Sequence, residues 1–316
     1  GRIPRIAYEM LSEKFEVSMH DDIVPLPKEK IIEGMKGHDA LLCILSDPID
    51  ADVIESNPQL KIIANYGAGF NNIHLETASA RKIPVTNTPV ISTNATADFT
   101  MGLLIAIARR LVEADKATRE GNFTGWAPLY HLGVEVTGKT LGIIGMGNIG
   151  QAVAKRAKAF DMRIVYNSLS RLNEATEREL GLSYMSKEDV IRESDFLSLH
   201  VSYKPSLRHM IGAEQLKTMK PDAYLINAAR GPLVDESALL KALQDKTIAG
   251  AALDVYEFEP KVTPGLELLD NVILAPHLGN ATVETREEMA RIAARNIMSV
   301  LSGDKPLSCV NMQIYG

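Results

Sequence analysis

The stretch Leu141-Gly142-Ile143-Ile144-Gly145-Met146-Gly147-Asn148-Ile149-Gly150 constrains this chain more than any other. Thr140 to Ile144 is an apolar run of buried-strand length, too short for a helix. Gly145, Gly147 and Gly150 follow at G-x-G-x-x-G spacing. From Gln151 to Phe160, Val153, Ala154, Ala157 and Phe160 take one side and Lys155, Arg156 and Lys158 the other, as in an amphipathic helix. Glycine-rich turns are common, so the spacing counts because a strand precedes it and a helix follows. Gly145 allows a sharp turn off the strand, Gly147 clears room for backbone to approach a pyrophosphate, and Gly150 lets helix and strand pack closely. Phosphates would then meet the free N–H groups and positive dipole end of the helix. The stretch predicts a dinucleotide site.

The remaining sequence repeats this strand–helix rhythm. Ile3 to Tyr8, Glu16 to Met19, Ala40 to Leu45, Lys61 to Asn65 and Pro84 to Thr86 read as strands. Lys28 to Met35, Ala51 to Ser56 and Ile73 to Arg81 read as the helices between them. No glycine fingerprint follows the first strand; the one unusual loop is Tyr66-Gly67-Ala68-Gly69-Phe70. Ser92, Thr93 and Asn94 offer caps to one long helix running to about Glu120, stopped by Gly121. An irregular segment from Phe123 to Lys139 holds the only tryptophan, Trp126. A second series of strands runs through Arg163–Tyr166, Phe196–Leu199, Ala223–Asn227, Ile248–Leu253 and Val272–Ala275. The helix from Thr282 to about Leu301 is too long for a simple connection and could return the chain to its first part. At 316 residues, about two domains are expected. The expected fold is α/β with two doubly wound parallel sheets. A Rossmann dinucleotide-binding domain (94–281) is inserted into a discontinuous, flavodoxin-like substrate domain (1–93 and 282–316).

In such sheets ligands sit beyond the carboxyl ends of the strands. Those ends read Asn227-Ala228-Ala229-Arg230-Gly231, Asp254-Val255-Tyr256-Glu257-Phe258-Glu259-Pro260 and Pro276-His277-Leu278-Gly279. Reduction of a 2-keto acid by a nicotinamide needs a cation for the carboxylate and carbonyl, a role that suits a guanidinium. It needs a proton donor for the developing alkoxide, which suits a histidine. A carboxylate beside that histidine favours the imidazolium. Arg230, His277 and Glu259 fit these roles, and their arrival at successive strand ends carries more weight than each alone.

With these motifs the chain resembles the D-isomer-specific 2-hydroxyacid dehydrogenases over nearly its whole length. The likeness rests on the glycine fingerprint, on Asn227–Gly231 with the following Pro232-Leu233-Val234-Asp235, on Asp254–Pro260, and on Ala275-Pro276-His277-Leu278-Gly279-Asn280-Ala281-Thr282. It implies Arg230, Glu259 and His277 as the catalytic set. It implies that Ala68 and Gly69 give backbone N–H groups to the substrate carboxylate, alongside Arg230 and His277. It also implies that Asp254 contacts the nicotinamide carboxamide and that His200, Val201 and Ala228 line the cofactor cleft. Asn148, Ile149, Ala229 and Gly279 complete that cleft in the same reading. A homodimer is implied, with the two long helices at or near its interface.

An NAD-specific site would carry an acid roughly 20 residues beyond the glycines, on the ribose hydroxyls. Here the second strand ends Asn167-Ser168-Leu169-Ser170-Arg171, with no acid. Ser168 and Ser170 could donate to a 2′-phosphate and Arg171 could supply charge. NADP(H) is therefore the preferred cofactor expected, with NAD(H) possible. This pattern fits the glyoxylate/hydroxypyruvate reductase branch; the alternatives are a reductase of a sugar-derived 2-keto acid or a D-lactate type. A cofactor-sensing corepressor-like protein is a reading from another class, disfavoured because such proteins commonly carry disordered extensions. Net charge −6 without a basic run argues against nucleic acid or an anionic membrane as partner. The longest apolar stretch, Met101 to Ala108, falls far short of a bilayer span. No charged-then-apolar leader opens the sequence, and Gly1 in place of Met suggests a trimmed start or a cloning scar. Cys43 and Cys309 are the only cysteines and no metal-ligand spacing occurs, so a reducing, cytoplasmic setting without a metal is expected.

Overall fold

In the computed structural model, which describes residues 2–22, 24 and 26–316, the chain forms two α/β units. Unit 1 comprises Gly1–Ser92 and Ala281–Gly316, and unit 2 comprises Thr93–Asn280. The first part of unit 1 contains α1 (Ile6–Ser12), α2 (Lys28–Met35), β1 (Ala40–Ile44), α3 (Ala51–Glu55), β2 (Ile62–Tyr66), α4 (Leu75–Ala80) and β3 (Val85–Thr86). Its strands pair in parallel in the order β1-β2-β3.

Side chains alternate across this sheet as the pleat requires. Ile63 of β2 joins Ile31, Met35, Val53, Ile54 and Ala78 from α2, α3 and α4 on one face. On the other face Ile62, Ala64 and Tyr66 pack with Ala7 and Leu11 of α1.

Two strands expected near the start are absent. Ile3–Tyr8 enters α1 instead, because Ala7 and Leu11 recur at helical spacing and bury together with Ile3, Ile6 and Met10 against them. Glu16–Met19 forms no regular element. Phe15 and Val17, half-buried, pack against the same core, while Glu16, Ser18 and Met19 are exposed.

Unit 2 opens with α5 (Thr93–Ala108) and α6 (Leu111–Arg119) where one long helix was expected. The break has a local cause. Val134 donates its N–H to the carbonyl of Ala108, and Arg110 adopts a left-handed backbone with φ +51°. Then follow β4 (Thr140–Ile144), α7 (Asn148–Lys158), β5 (Arg163–Asn167), α8 (Glu174–Leu180) and β6 (Leu182–Tyr184). The unit continues with α9 (Lys187–Glu193), β7 (Phe196–Leu199), α10 (Ala213–Thr218), β8 (Tyr224–Asn227), α11 (Glu236–Gln244), β9 (Gly250–Leu253) and β10 (Val272–Leu274). The last α-helix is α12 (Val283–Leu301), which belongs to unit 1 and is capped by Thr282. Met289, Ala290, Ala294 and Ile297 of α12 fill the core face shared with α1.

All seven strands of the second sheet are parallel, in the order β10-β9-β8-β7-β4-β5-β6. Leu141 and Ile143 meet α5 and α7 through Met101, Leu104, Val153 and Ala157. Ile144, Val165 and Leu197 face the opposite layer of α9, α10 and α11. Helices thus cover both faces, and successive strands build outward in opposite directions from β4. That reversal opens a crevice at the carboxyl ends of β4 and β7. No helix among the described residues is long and apolar enough to cross a membrane.

Candidate active site

The glycine turn sits at this switch point. Gly145 has φ +101°, and a Cβ there would lie 2.5 Å from the carbonyl carbon of His200. A Cβ on Gly150 would overlap the carbonyl oxygen of Gly145, so α7 approaches β4 as closely as backbone allows. Beside Gly147 the space is open: nothing lies within 4 Å of the Cβ position. No side chain caps α7, which leaves the first-turn N–H groups from Asn148, Ile149 and Gly150 for an anion. An uncapped helix behind an open glycine position fits a dinucleotide pyrophosphate.

At the end of β5, Ser168 Oγ accepts the N–H of Met146 at 3.3 Å, tying the neighbouring loop to the glycine turn. Leu169 is 97% exposed and Ser170 is exposed too. Arg171 is not free. Its Nε and Nη2 each bond Glu177 at 2.8 Å, and the guanidinium lies over the Tyr184 ring. Tyr166 donates its hydroxyl to the same carboxylate at 2.7 Å. Arg171 and Tyr166 together hold the Glu177 carboxyl down at about 2. His200, next to Val201, bonds Ser198 Oγ through Nε2 at 2.8 Å. Burial pushes its pKa down to about 4, so the imidazole is neutral at pH 7.

At the end of β8, Asn227 folds the Arg230 turn: its amide donates to the Arg230 carbonyl at 2.9 Å and accepts the N–H of Ala229 at 3.1 Å. Ala228 is buried beneath them. Arg230 donates from Nη1 to the Ala229 carbonyl at 2.6 Å, and among the described residues its guanidinium forms no ion pair. Burial lowers its pKa, and the charge of Glu259 opposes that.

His277 and Glu259 meet directly. A carboxylate can only accept, so His277 donates from Nδ1 to Oε2 of Glu259 at 2.9 Å and keeps Nε2 for other work. Oε1 of Glu259 accepts the N–H of Tyr256 at 3.0 Å. Half-burial works to raise the Glu259 pKa. The His277 bond and charge, the Tyr256 N–H and the Arg230 charge outweigh it and bring the carboxyl below its ordinary value. Glu259 is ionised at neutral pH.

His277 has φ +56°, a left-handed backbone that a non-glycine residue holds only when its surroundings fix it. Asp254 does the fixing. Its carbonyl accepts the N–H of His277 at 2.9 Å, and its carboxylate accepts those of Leu278 and Gly279 at 2.6 and 2.7 Å. Both carboxylate oxygens are thereby committed to the loop, and burial raises the Asp254 pKa in spite of those two bonds.

Ala68 and Gly69 lie in unit 1. The carbonyls of their loop are all engaged: Gly67 by the N–H of Thr88 at 2.9 Å, Ala68 by the Asn87 amide at 2.8 Å and Gly69 by the Asn65 amide at 2.6 Å. The oxygens of this loop are thus engaged, while among the described residues the N–H groups of Ala68 and Gly69 find no acceptor. Asn65, Asn87, Asn227 and Tyr256 were not singled out from the sequence. Their one advance signal is position, each lying at or within a few residues of a strand end.

The match to known proteins agrees with this chemistry. Residues 101–279 match the family model described as the NAD-binding domain of D-isomer specific 2-hydroxyacid dehydrogenases. A Staphylococcus aureus protein assigned by name to the 2-hydroxyacid dehydrogenases is 51% identical over 311 residues, 98% of each chain. Among solved structures, the TT0316 protein of Thermus thermophilus matches with TM-score 0.92 at 40% identity, covering 98% of this chain and 97% of its own. An NADPH-dependent glyoxylate/hydroxypyruvate reductase from Sinorhizobium meliloti, in complex with NADP and malonate, matches with TM-score 0.87 at 33% identity over 98% and 94%. The chain belongs to the D-isomer specific 2-hydroxyacid dehydrogenases, oxidoreductases that use a nicotinamide cofactor and act on a CH–OH group.

Proposed function

We propose that the protein reduces glyoxylate and hydroxypyruvate to the corresponding hydroxy acids, with NADPH preferred over NADH. The observation that carries the catalytic reading is the His277–Glu259 hydrogen bond at 2.9 Å, with an unpaired Arg230 within electrostatic reach of Glu259. The nicotinamide, when bound, supplies the hydride. Arg230 holds the substrate carboxylate and polarises the keto oxygen. Ala68 and Gly69 are the backbone donors to that carboxylate. His277 delivers a proton from Nε2 to the developing alkoxide, and Glu259 fixes the ring through Nδ1. Unit 2 holds the dinucleotide through Gly145, Gly147 and Gly150, and unit 1 is the substrate domain.

The cofactor preference rests on charge. No carboxylate ends β5, and Glu177 of α8 is engaged by both arms of Arg171. A 2′-phosphate therefore meets no carboxylate between Ser168 and Asn173. The Sinorhizobium meliloti reductase supports both cofactor and substrate. A panel of 2-keto acids with NADPH and NADH tests the proposal. Turnover of glyoxylate or hydroxypyruvate with higher kcat/KM for NADPH is expected. A clear NADH advantage overturns the preference, and no turnover of either acid overturns the substrate. Loss of hydride transfer in His277→Ala and Arg230→Ala, with NADPH affinity kept, is the matching result for the residue roles.

The segment around Trp126 supports a homodimer. Trp126 is 86% exposed, and Phe123, Leu129 and Leu132 are exposed beside it, an apolar arm that a second copy would cover. Sedimentation at the monomer mass of 34.6 kDa would count against it.

A further inference from the structure

The loop that carries Glu259 is held by a residue outside the catalytic set. Glu236, the first residue of α11, is 1% exposed and lies on the buried stripe of that helix with Leu239 and Leu243. Its oxygens serve two different partners. Oε1 accepts the N–H of Glu257 at 2.6 Å and Oε2 accepts the hydroxyl of Thr263 at 2.5 Å. These partners bracket Glu259 on either side along the chain. The Glu257 carboxylate, itself nearly buried, takes Arg208 Nη2 at 2.5 Å and His209 Nε2 at 2.7 Å. The start of the loop is thus tied from two directions, and at its end the Thr263 side chain is tied by Glu236. Bonds to a buried carboxylate are short and strong, and an N–H left without its acceptor there is costly.

We propose that Glu236 is a positioning residue for the reaction, clamping residues 257–263 so that the Glu259 carboxylate stays on Nδ1 of His277. The inference rests on the catalytic reading of Glu259 and His277 given above. Without the clamp, the Glu259 carboxylate keeps the Tyr256 N–H and the His277 ring, while the loop around it is tied on one side, through the Arg208 and His209 bonds to Glu257. The effect falls on turnover. Dinucleotide affinity rests on β4 and α7, and the substrate carboxylate is held by other groups.

The test is a variant series assayed with NADPH and glyoxylate. Glu236→Ala should lower kcat by on the order of tenfold or more, with KM and the NADPH Kd within about twofold. Glu236→Gln should recover most of the loss, since its amide oxygen can accept from Glu257 and its NH2 can donate to Thr263 Oγ1. Thr263→Val removes one arm and should fall between wild type and Glu236→Ala. In a Glu259→Gln background, Glu236→Ala should change kcat by less than about twofold, because a clamp that acts through Glu259 has nothing left to position. A folded Glu236→Ala protein with wild-type kcat beside an impaired Glu259→Gln overturns the clamp alone, as does an equal loss in both backgrounds. Should Glu236→Ala not fold, Thr263→Val in the two backgrounds decides the same comparison. Wild-type turnover by Glu259→Gln itself overturns the catalytic reading, and the clamp with it.

Discussion

Gly231→Ala probes how closely the Arg230 and Glu259 loops are fitted. A Cβ at position 231 would overlap the carbonyl carbon and oxygen of Tyr256 and the nitrogen of Glu257, inside the 3.0 Å that real Cβ atoms keep. All three are backbone atoms, so no rotamer change relieves the overlap. One loop must retreat by about 1 Å, and overpacking of this kind costs about 1–3 kcal/mol. What retreats carries a proposed catalytic group on either side. Tyr256 carries the N–H that holds Oε1 of Glu259, and its hydroxyl donates to the Ala275 carbonyl two residues before His277. Arg230 adjoins the glycine on the other loop. A displacement of about 1 Å in a reacting geometry lowers turnover on the order of a hundredfold. The dinucleotide turn is on β4, so NADPH affinity should hold. Steady-state kinetics with glyoxylate, NADPH titration and a denaturant midpoint measure the three effects separately. A folded Gly231→Ala protein with kcat near wild type would refute the reasoning, since the loops would then have room that the structure denies them. Equal loss of turnover and NADPH affinity would also count against it, as the damage would not be local.

Asn65→Asp tests the unit 1 loop: a carboxylate replaces the amide donor that lies 2.6 Å from the Gly69 carbonyl, so two acceptors oppose each other. The lost bond and the repulsion are worth about 1–3 kcal/mol, which should appear as a raised KM for the keto acid with NADPH Kd unchanged; an unaltered KM would remove the loop from substrate binding. Glu177→Gln tests the β5 loop through pH. The folded-state pKa of Glu177 is about 2 against an ordinary 4.5, so its contribution is complete above the ordinary value and is lost as pH falls toward about 2. The denaturant midpoint of Glu177→Gln should therefore lie below wild type at pH 7, with the gap narrowing between pH ~4.5 and ~2. A gap that stays constant across that window would show that Arg171 and Tyr166 do not stabilise the charged form.

What the sequence makes legible here is whatever one stretch of chain encodes by itself. Gly145, Gly147 and Gly150 can be read because strand, turn and helix are contiguous, and Arg230, Glu259 and His277 because strand ends are where a parallel sheet delivers ligand groups. The errors have the same root. Ile3–Tyr8 looks like a strand because a short apolar run fits either period, and only burial against α12, nearly the whole chain away, settles it as helix. The single helix expected through Arg110 fails because the Ala108 carbonyl is claimed by Val134, a partner no helical pattern reveals. β6 escapes notice because Leu182-Ser183-Tyr184 is too short to show alternation. Buried polar groups are the hardest to foresee. Asn311 is fully buried beside β3, accepting the N–H of Val85 and donating to the Ile83 carbonyl, across more than two hundred residues of chain. Glu236 is the partial exception, since its i, i+3, i+7 relation to Leu239 and Leu243 puts a carboxylate on a stripe that must be buried. A charge in such a place needs partners, and sequence alone says that they exist without saying which. The structure names them as Glu257 and Thr263, on either side of Glu259. A motif therefore points to the proposed reacting groups, while the polar contacts around them are fixed by the fold.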